Sequence, residues 1–438
     1  MSPCEIAARD IFLHALSACS IERAIAERLS ASGASGLDLN RVPRLLVIAM
    51  GKAAASMLAA LLKRDDVSGR DVYGLLVAPA ALDPMPSGFA FFHGAHPLPD
   101  EQSFAAAREI LRLLDEATAD TFCLFLISGG ASAMVELPLD TGISLQDTIA
   151  FHRALVHSGA SIVEMNCVRK HFSAVKGGRL AQRASHLRQL TVLISDVAPA
   201  RLDALASGPT LPDRSTVADC REVLAKYDLL RDFPESVARF FLSKDLVETP
   251  KANELRSRNI VLLSSDDLAE QARLRADSLG YCALVDNACD DWGYREAAEY
   301  LLERVRRVRR EHGRVCLISV GEILVRVPAR SDGAAAAPPA GGRNQHFVLY
   351  AGTQMQDTDG GLTVLSCGSD GIDGNSPAAG AVLSFESAQQ PSREQWMRSA
   401  GHALESFSSF NFLRSQGCTI ETGPTGNNLR DLRLLLFE

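Results

Sequence analysis

Residues 165–213 concentrate side chains suited to holding an anion: MNCVRKHFSAVKGGRLA, a short gap, the apolar run LTVLIS, then Asp196 and, further on, SGPT. Met165, Val168, Phe172 and Val175 recur at helical spacing and predict one apolar stripe, with Arg169 and Lys176, seven residues apart, along its edge. Gly177 and Gly178 predict the end of that helix, because glycine takes positive φ at little steric cost. Leu190 to Ser195 has the length and β-branched content of a buried strand. Asp196 then falls at a strand's C-terminal edge, where open α/β sheets bind ligands. Cations beside a carboxylate suit phosphate chemistry; a basic amphipathic helix with a solvated face is the alternative reading.

Other segments carry polar groups at the same kind of position. LLVIAM followed by Gly51 and Lys52 predicts a strand, a turn and a helix with a lysine in the first turn. The positive end of the helix dipole disfavours a cation there unless an anion is also present, so Lys52 reads as a phosphate or carboxylate ligand. The spacing is not that of a Walker A loop. CLFLIS leads into Ser128, Gly129, Gly130 and Ser132, where glycines let ligand oxygens approach the backbone and hydroxyls add donors. A tight strand-to-helix turn would use the same residues. GAHPLPDEQS predicts a rigid loop and a capped helix from about Glu101, with His96 either at the substrate or structural.

In the C-terminal half, CLISVGE ends a strand on Glu322, Gly341-Gly342-Arg343-Asn344-Gln345 opens a helix, and LTVLSCGSDGIDG ends a strand at Asp370 and Asp373. These three elements point to one sheet edge. Their spacing is not that of an EF-hand, although either aspartate could hold Mg²⁺ through water. TGPTG at 422–426 either closes over a ligand or docks the tail.

The elements that must position these groups alternate: apolar runs at 45–50, 122–128, 190–195 and 260–263 are interleaved with helical patterns. This predicts an α/β chain with mostly parallel sheets. At 438 residues it can hold two or three domains of roughly 100–200 residues. A boundary is expected between about 235 and 258, where Pro234 and Pro250 flank a charged stretch and a new strand and helix follow. Residues 329–342, ARSDGAAAAPPAGG, read as a mobile loop, serving as a lid or tolerated as a surface insertion.

A net charge of -8 argues against nucleic acid, which calls for a basic domain or stripe. No apolar run approaches the roughly 18 residues of a membrane span. The N-terminus MSPCEIAARD lacks the pattern of a signal peptide, so a cytoplasmic protein is expected. Ten scattered cysteines without a C-x-x-C pair indicate neither a disulfide framework nor a zinc site.

Taken together, GKAA (51–54), GAHPLPD (94–100), SGGASA (128–133), NCVRKHFSAVKGGRLA (166–181), SDV (195–197), ASGPT (206–210), GGRNQ (341–345), GSDGIDG (368–374) and TGPTG (422–426) resemble the glycerate 2-kinase family with a MOFRL domain, also labelled hydroxypyruvate reductase. The motifs keep the family's order over nearly the whole chain. The resemblance implies a Rossmann-like doubly wound domain at 1–245 and a MOFRL-type α/β domain at 246–438, with the active site in the cleft between them. It implies phosphoryl transfer from ATP to D-glycerate with Mg²⁺. Lys52 and Arg343 would stabilise charge, and Asp196 would take the hydroxyl proton or hold the metal, a role Asp370 could share. Substrate or nucleotide would meet His96, Ser128, Gly129, Gly130, Ser132, Asn166, Arg169, Lys176, Glu322, Asn344 and Asp370. The expected partner is a small molecule, with neither nucleic acid nor membrane, and a homodimer is open as the assembly.

The sequence departs from the family's pattern in places. Ala198-Pro199-Ala200-Arg201 replaces a Gly-Asp pair, Ile323 and Leu324 replace two threonines, Pro377 stands for Asp and Asn427 for Thr, and the usual Ser-Asn near 265 reads Ser264-Ser265-Asp266. The competing expectations are therefore a kinase of another hydroxy acid or a catalytically weak binding paralogue. An NAD(P)H-dependent reductase is the third, although no G-x-G-x-x-G fingerprint follows an early strand.

Overall fold

The computed structural model describes residues 2–30, 32–39, 42–195, 199–327 and 340–438. Two compact units emerge, one of residues 21–263 and one joining 1–20 to 264–438. In the first, β1 (Arg44–Met50), β2 (Asp71–Ala78), β3 (Phe89–His93), β4 (Thr121–Ile127), β5 (Arg188–Ile194) and β6 (Arg258–Leu263) pair in parallel in the order β3-β2-β1-β4-β5-β6. This is the order of a dinucleotide-binding doubly wound sheet, whose ligand crevice lies where the order reverses, between β1 and β4. β1 and β4 are buried almost throughout, as their unbroken apolar runs require of strands covered on both faces.

The second unit holds β7 (Cys282–Val285), β8 (Val315–Val320), β9 (Thr363–Gly368), β10 (Gly380–Ser384), β11 (Thr419–Ile420) and β12 (Asp431–Phe437), ordered β11-β10-β9-β12-β8-β7. Only β7 and β8 pair in parallel; β12 returns antiparallel between β8 and β9. The expectation of mostly parallel sheets therefore fails here, because the last apolar run of the chain completes the middle of the sheet.

The new strand expected to open the second domain is instead the edge of the first sheet, since β6 hydrogen-bonds to β5 from Arg258 to Leu263. The compact units thus divide after Leu263 rather than at 245, and helix Pro3–Ala18 packs on β9, β10, β12 and helix Ser265–Ser278 of the second unit.

A helical cluster flanks the first sheet. Helices Leu145–His157, Ile162–Phe172, Val217–Lys226 and Glu235–Leu242 bury Phe151, Val168, Phe172, Val223, Phe233 and Phe241 against one another. Phe151 stacks on Phe172 at 4.2 Å between ring centroids and meets Phe233 edge-on at 5.0 Å. This packing fixes helix Ile162–Phe172, which carries Asn166 and Arg169. Phe151→Ala is expected to cost about 3–5 kcal/mol, measured as a lowered urea midpoint, and to loosen that helix in hydrogen exchange.

Candidate active site

The C-terminal turns of β1 and β4 are laced together. Ser128 N–H donates to Met50 O (3.1 Å), Lys52 N–H to Gly129 O (2.9 Å), and Ala53 N–H to Ser128 Oγ (2.9 Å). Gly51 has φ +119°, and a Cβ there would lie 2.4 Å from Ser128 Oγ and 2.5 Å from Ser128 O, so only glycine fits. Gly130, at φ +85°, has Lys52 Cγ 3.2 Å from where its own Cβ would stand. The lysine stem thus crosses a glycine and leaves an exposed ammonium, which no ion pair or hydrogen bond engages among the described residues. His96 follows Gly94 and Ala95 in the next loop. Its pKa is lowered first by burial and then by the positive charge of Lys52, which places the two groups within electrostatic reach.

A hydroxyl relay ties this turn to helix Ile162–Phe172. Ser132 Oγ lies 2.9 Å from Ser207 Oγ, and Ser207 Oγ donates to Asn166 Oδ1 at 3.0 Å. Ala206, Ser207 and Gly208 all have positive φ, and this bend is braced by Gly177 N–H to Ser207 O (3.0 Å) and Gly178 N–H to Gly208 O (2.7 Å). Ser207 was not among the expected ligands, although it sits inside the ASGPT motif. Arg169 is one turn beyond Asn166 and neighbours it on the helix surface.

The cations of this stretch separate sharply. Lys170 Nζ donates to Asp203 (3.0 Å) and Asp213 (3.1 Å). Lys176, fully buried, donates to Glu136 Oε2 (2.7 Å) and Val135 O (3.2 Å), and His152 Nε2 lies 3.0 Å from the same carboxylate oxygen. Arg169 has no carboxylate partner among the described residues, and its buried Nε has no hydrogen-bond partner. Burial lowers its pKa, opposed by Glu136. Among the described residues it is thus the cation of this helix that no carboxylate neutralises.

Two expectations are corrected. The helix stops at Phe172 instead of running through Val175, because Ser173 bridges to Pro138 and Ala174 N–H donates to Leu137 O. Gly177 and Gly178 do take positive φ, but they lead into helix Arg179–Arg183. Lys176 consequently leaves the helix edge and is committed to Glu136, a partner with no signature in the sequence. Asp196 lies outside the described residues, as does most of the proposed 329–342 lid.

In the second unit the sheet supplies its own polar edge. β8 and β9 end where antiparallel β12 begins, with Val320 opposite Leu432 and Gly368 opposite Asp431. Arg343, first residue of helix Arg343–Thr353, donates to Asp431 through Nε (2.6 Å) and Nη2 (3.1 Å), and to Glu322 through Nη1 (2.9 Å). Burial works against its charge, but the two carboxylates outweigh it and raise the pKa; burial also raises that of Glu322. Asn344 is buried, donates to Asp373 Oδ1 and accepts from Ser366 Oγ, so it braces the helix start rather than presenting a free amide. Asp370 Oδ1 accepts from Ile372 N–H, and its carbonyl accepts from Thr425 N–H, pinning TGPTG to this turn. Two departures have structural uses: Ile323 fills the core and Asn427 Nδ2 donates to Cys19 O at 2.9 Å.

Among the described residues no three His, Cys, Asp or Glu side chains gather as a metal cluster. Mg²⁺ bound with phosphate needs only one or two carboxylates, its other positions filled by phosphate oxygens and water. Half-buried Asp370 meets that requirement.

Fold and site together define a two-unit α/β protein with a glycine-rich turn and an exposed lysine at the switch point of a Rossmann-ordered sheet. Residues 7–242 match the model described as domain of unknown function DUF4147, and residues 315–431 match the MOFRL family. The chain belongs to the glycerate 2-kinase family with a MOFRL domain. It is 34% identical over 424 residues to D-glycerate 2-kinase of Thermotoga maritima, covering 94% of each chain. It is 32% identical to glycerate 2-kinase of Pyrococcus horikoshii, over 89% of this chain and 86% of that one. The crystal structure of glycerate kinase from Thermotoga maritima matches with a TM-score of 0.83 at 32% identity over 99% of each chain. No helix among the described residues is long and apolar enough to cross a membrane.

Burial would raise the pKa of Glu136, but Lys176 and His152 reverse this and hold it down at about 2. Lys176→Met, which strands that carboxylate, is expected to cost about 3–5 kcal/mol in urea unfolding, and adding Glu136→Gln should recover part of it. Because the folded-state pKa lies below the ordinary 4.5, the carboxylate's contribution is complete above pH 4.5 and fades as pH falls towards 2. Wild type and Glu136→Gln should converge in stability over that window.

Proposed function

We propose that this chain transfers the γ-phosphoryl group of ATP to a hydroxyl of D-glycerate, giving 2-phosphoglycerate. The observation that carries this reading is Lys52: an exposed ammonium laid across Gly130 at the switch point, without a carboxylate among the described residues to neutralise it. Phosphoryl transfer depends on positioning and charge neutralisation more than on covalent help from the protein, and the surrounding residues suit both tasks. Ser128 Oγ accepts from Ala53 N–H and so keeps its own proton to donate to a ligand oxygen. Gly129 and Gly130 keep the approach open, and the Ser132, Ser207 and Asn166 relay orients polar groups beside Arg169, which takes a phosphate or carboxylate.

His96, its pKa lowered by burial and by Lys52, is neutral at physiological pH and can hydrogen-bond substrate without adding charge. Arg343 is the second cation assigned to the transferring group. Asp431, buried beneath it, orients it, whereas Glu322, about a third exposed, is the partner more easily given up to solvent or a ligand anion. Asp196 accepts the proton of the acceptor hydroxyl or holds the metal, with Asp370 as the other candidate for it. Mg²⁺, when bound, neutralises charge on the phosphate oxygens.

The test is acceptor-dependent ADP release by the full chain with MgATP and D-glycerate, L-glycerate or tartronate. D-glycerate should be the best acceptor. Lys52→Ala should lower kcat/KM on the order of 10²–10³-fold without moving the urea midpoint, since the side chain is exposed. ADP release that ignores the acceptor, or that survives Lys52→Ala intact, would sink the proposal. Tight binding of D-glycerate without turnover would point to the binding paralogue, and oxidation of NADH by hydroxypyruvate to the reductase.

A further inference from the structure

The first unit has a second polar concavity, at the end of the sheet where β4, β5 and β6 begin. A cavity of about 680 Å³ opens there among residues 35–38, 119, 122, 185–190, 256 and 258. Arg188, Arg256 and Arg258 line it, and Asp38 is the one acidic residue of the described lining. All three arginines are exposed, and no side-chain hydrogen bond or ion pair to a described residue engages them. Arg188 instead lies over the Phe122 ring, 5.5 Å from its centroid. Gln189 donates through Nε2 to Ala181 O and Ala184 O, while its buried Oε1 has no partner.

Three guanidinium groups facing one cavity, in a chain of net charge -8, make a local positive field that an anion would relieve. Guanidinium forks match phosphate oxygens in pairs. The Phe122, Leu187 and Leu190 side of the cavity offers an apolar wall, and exposed Ser185 a partner for a hydroxyl. A volume within the range of small-molecule sites, roughly 300–1,000 Å³, fits a metabolite rather than a bare ion.

We infer that this cavity is a second ligand site, for a small polyhydroxylated metabolite carrying more than one phosphate. It is separate from the Lys52 turn. The seven residues of β4 lie between them, roughly 20 Å at about 3.3 Å per residue.

The test is calorimetric titration of the full chain with hexose 1,6-bisphosphate, compared with sodium sulfate at matched ionic strength. Wild type and Lys52→Ala should each bind one equivalent of the bisphosphate. Arg256→Ser/Arg258→Ser should weaken binding at least tenfold while leaving the unliganded melting temperature and the rate of ADP release unchanged. Arg188→Lys, which keeps the charge and removes the fork, should weaken it less. Absence of binding, equal binding of sulfate, or binding lost in Lys52→Ala and kept in the arginine variants would overturn the inference. The last outcome would assign the probe to the candidate active site, and binding that persists in Lys52→Ala does not require the kinase reading.

Discussion

The N-terminal unit depends on one close approach. β1 and β4 are neighbours in the sheet although β2 and β3 intervene in sequence, and their turns meet where Gly51 lies against Ser128. With no room for a Cβ at Gly51, three short hydrogen-bonded links can form between the turns. Those links put the Lys52 ammonium beside the SGG turn, at the place where parallel sheets open a crevice. A larger residue at 51 would part the turns and, with them, the lysine from the glycines it crosses.

Around this turn the structure separates cations that bear load from cations left available. Lys170 and Lys176 are buried with carboxylates, where unpaired charge would be costly. Their partners, Asp213 and Glu136, come from segments on either side of helix Ile162–Phe172, so the pairs clamp that helix and the KGG turn in place. Arg169 is held by the same clamp yet keeps its guanidinium without a carboxylate among the described residues. In the second unit, by contrast, Arg343 is paired with Asp431 and Glu322, so its availability depends on exchanging one carboxylate for a ligand anion.

Much of this was legible in the chain itself. The runs at 45–50, 122–128 and 190–195 became strands, Asp100 caps helix Glu101–Glu116, and GGRNQ opens a helix as its glycines suggested. Glu322, Arg343 and Asp370 do fall at one sheet edge. The length of helix Ile162–Phe172 was misread because Val175 continues its apolar period, whereas the backbone at 173–174 finds hydrogen-bond partners in residues 137–138 instead. β6 looks in sequence like the start of a new unit, whereas its pairing with β5 puts it on the edge of the first sheet.

Local physics accounts for what the sequence alone determined: strand runs, capped helices, glycines where φ must be positive, and the order of family motifs all depend on neighbours a few residues apart. The tertiary structure decided which charges remain available. Whether Lys170, Lys176 or Arg343 faces a carboxylate depends on residues 21 to 88 positions away, such as Asp203 for Lys170, Glu136 for Lys176, and Glu322 and Asp431 for Arg343. A charge's partner is set by distance in space, and no pattern along the chain encodes that distance.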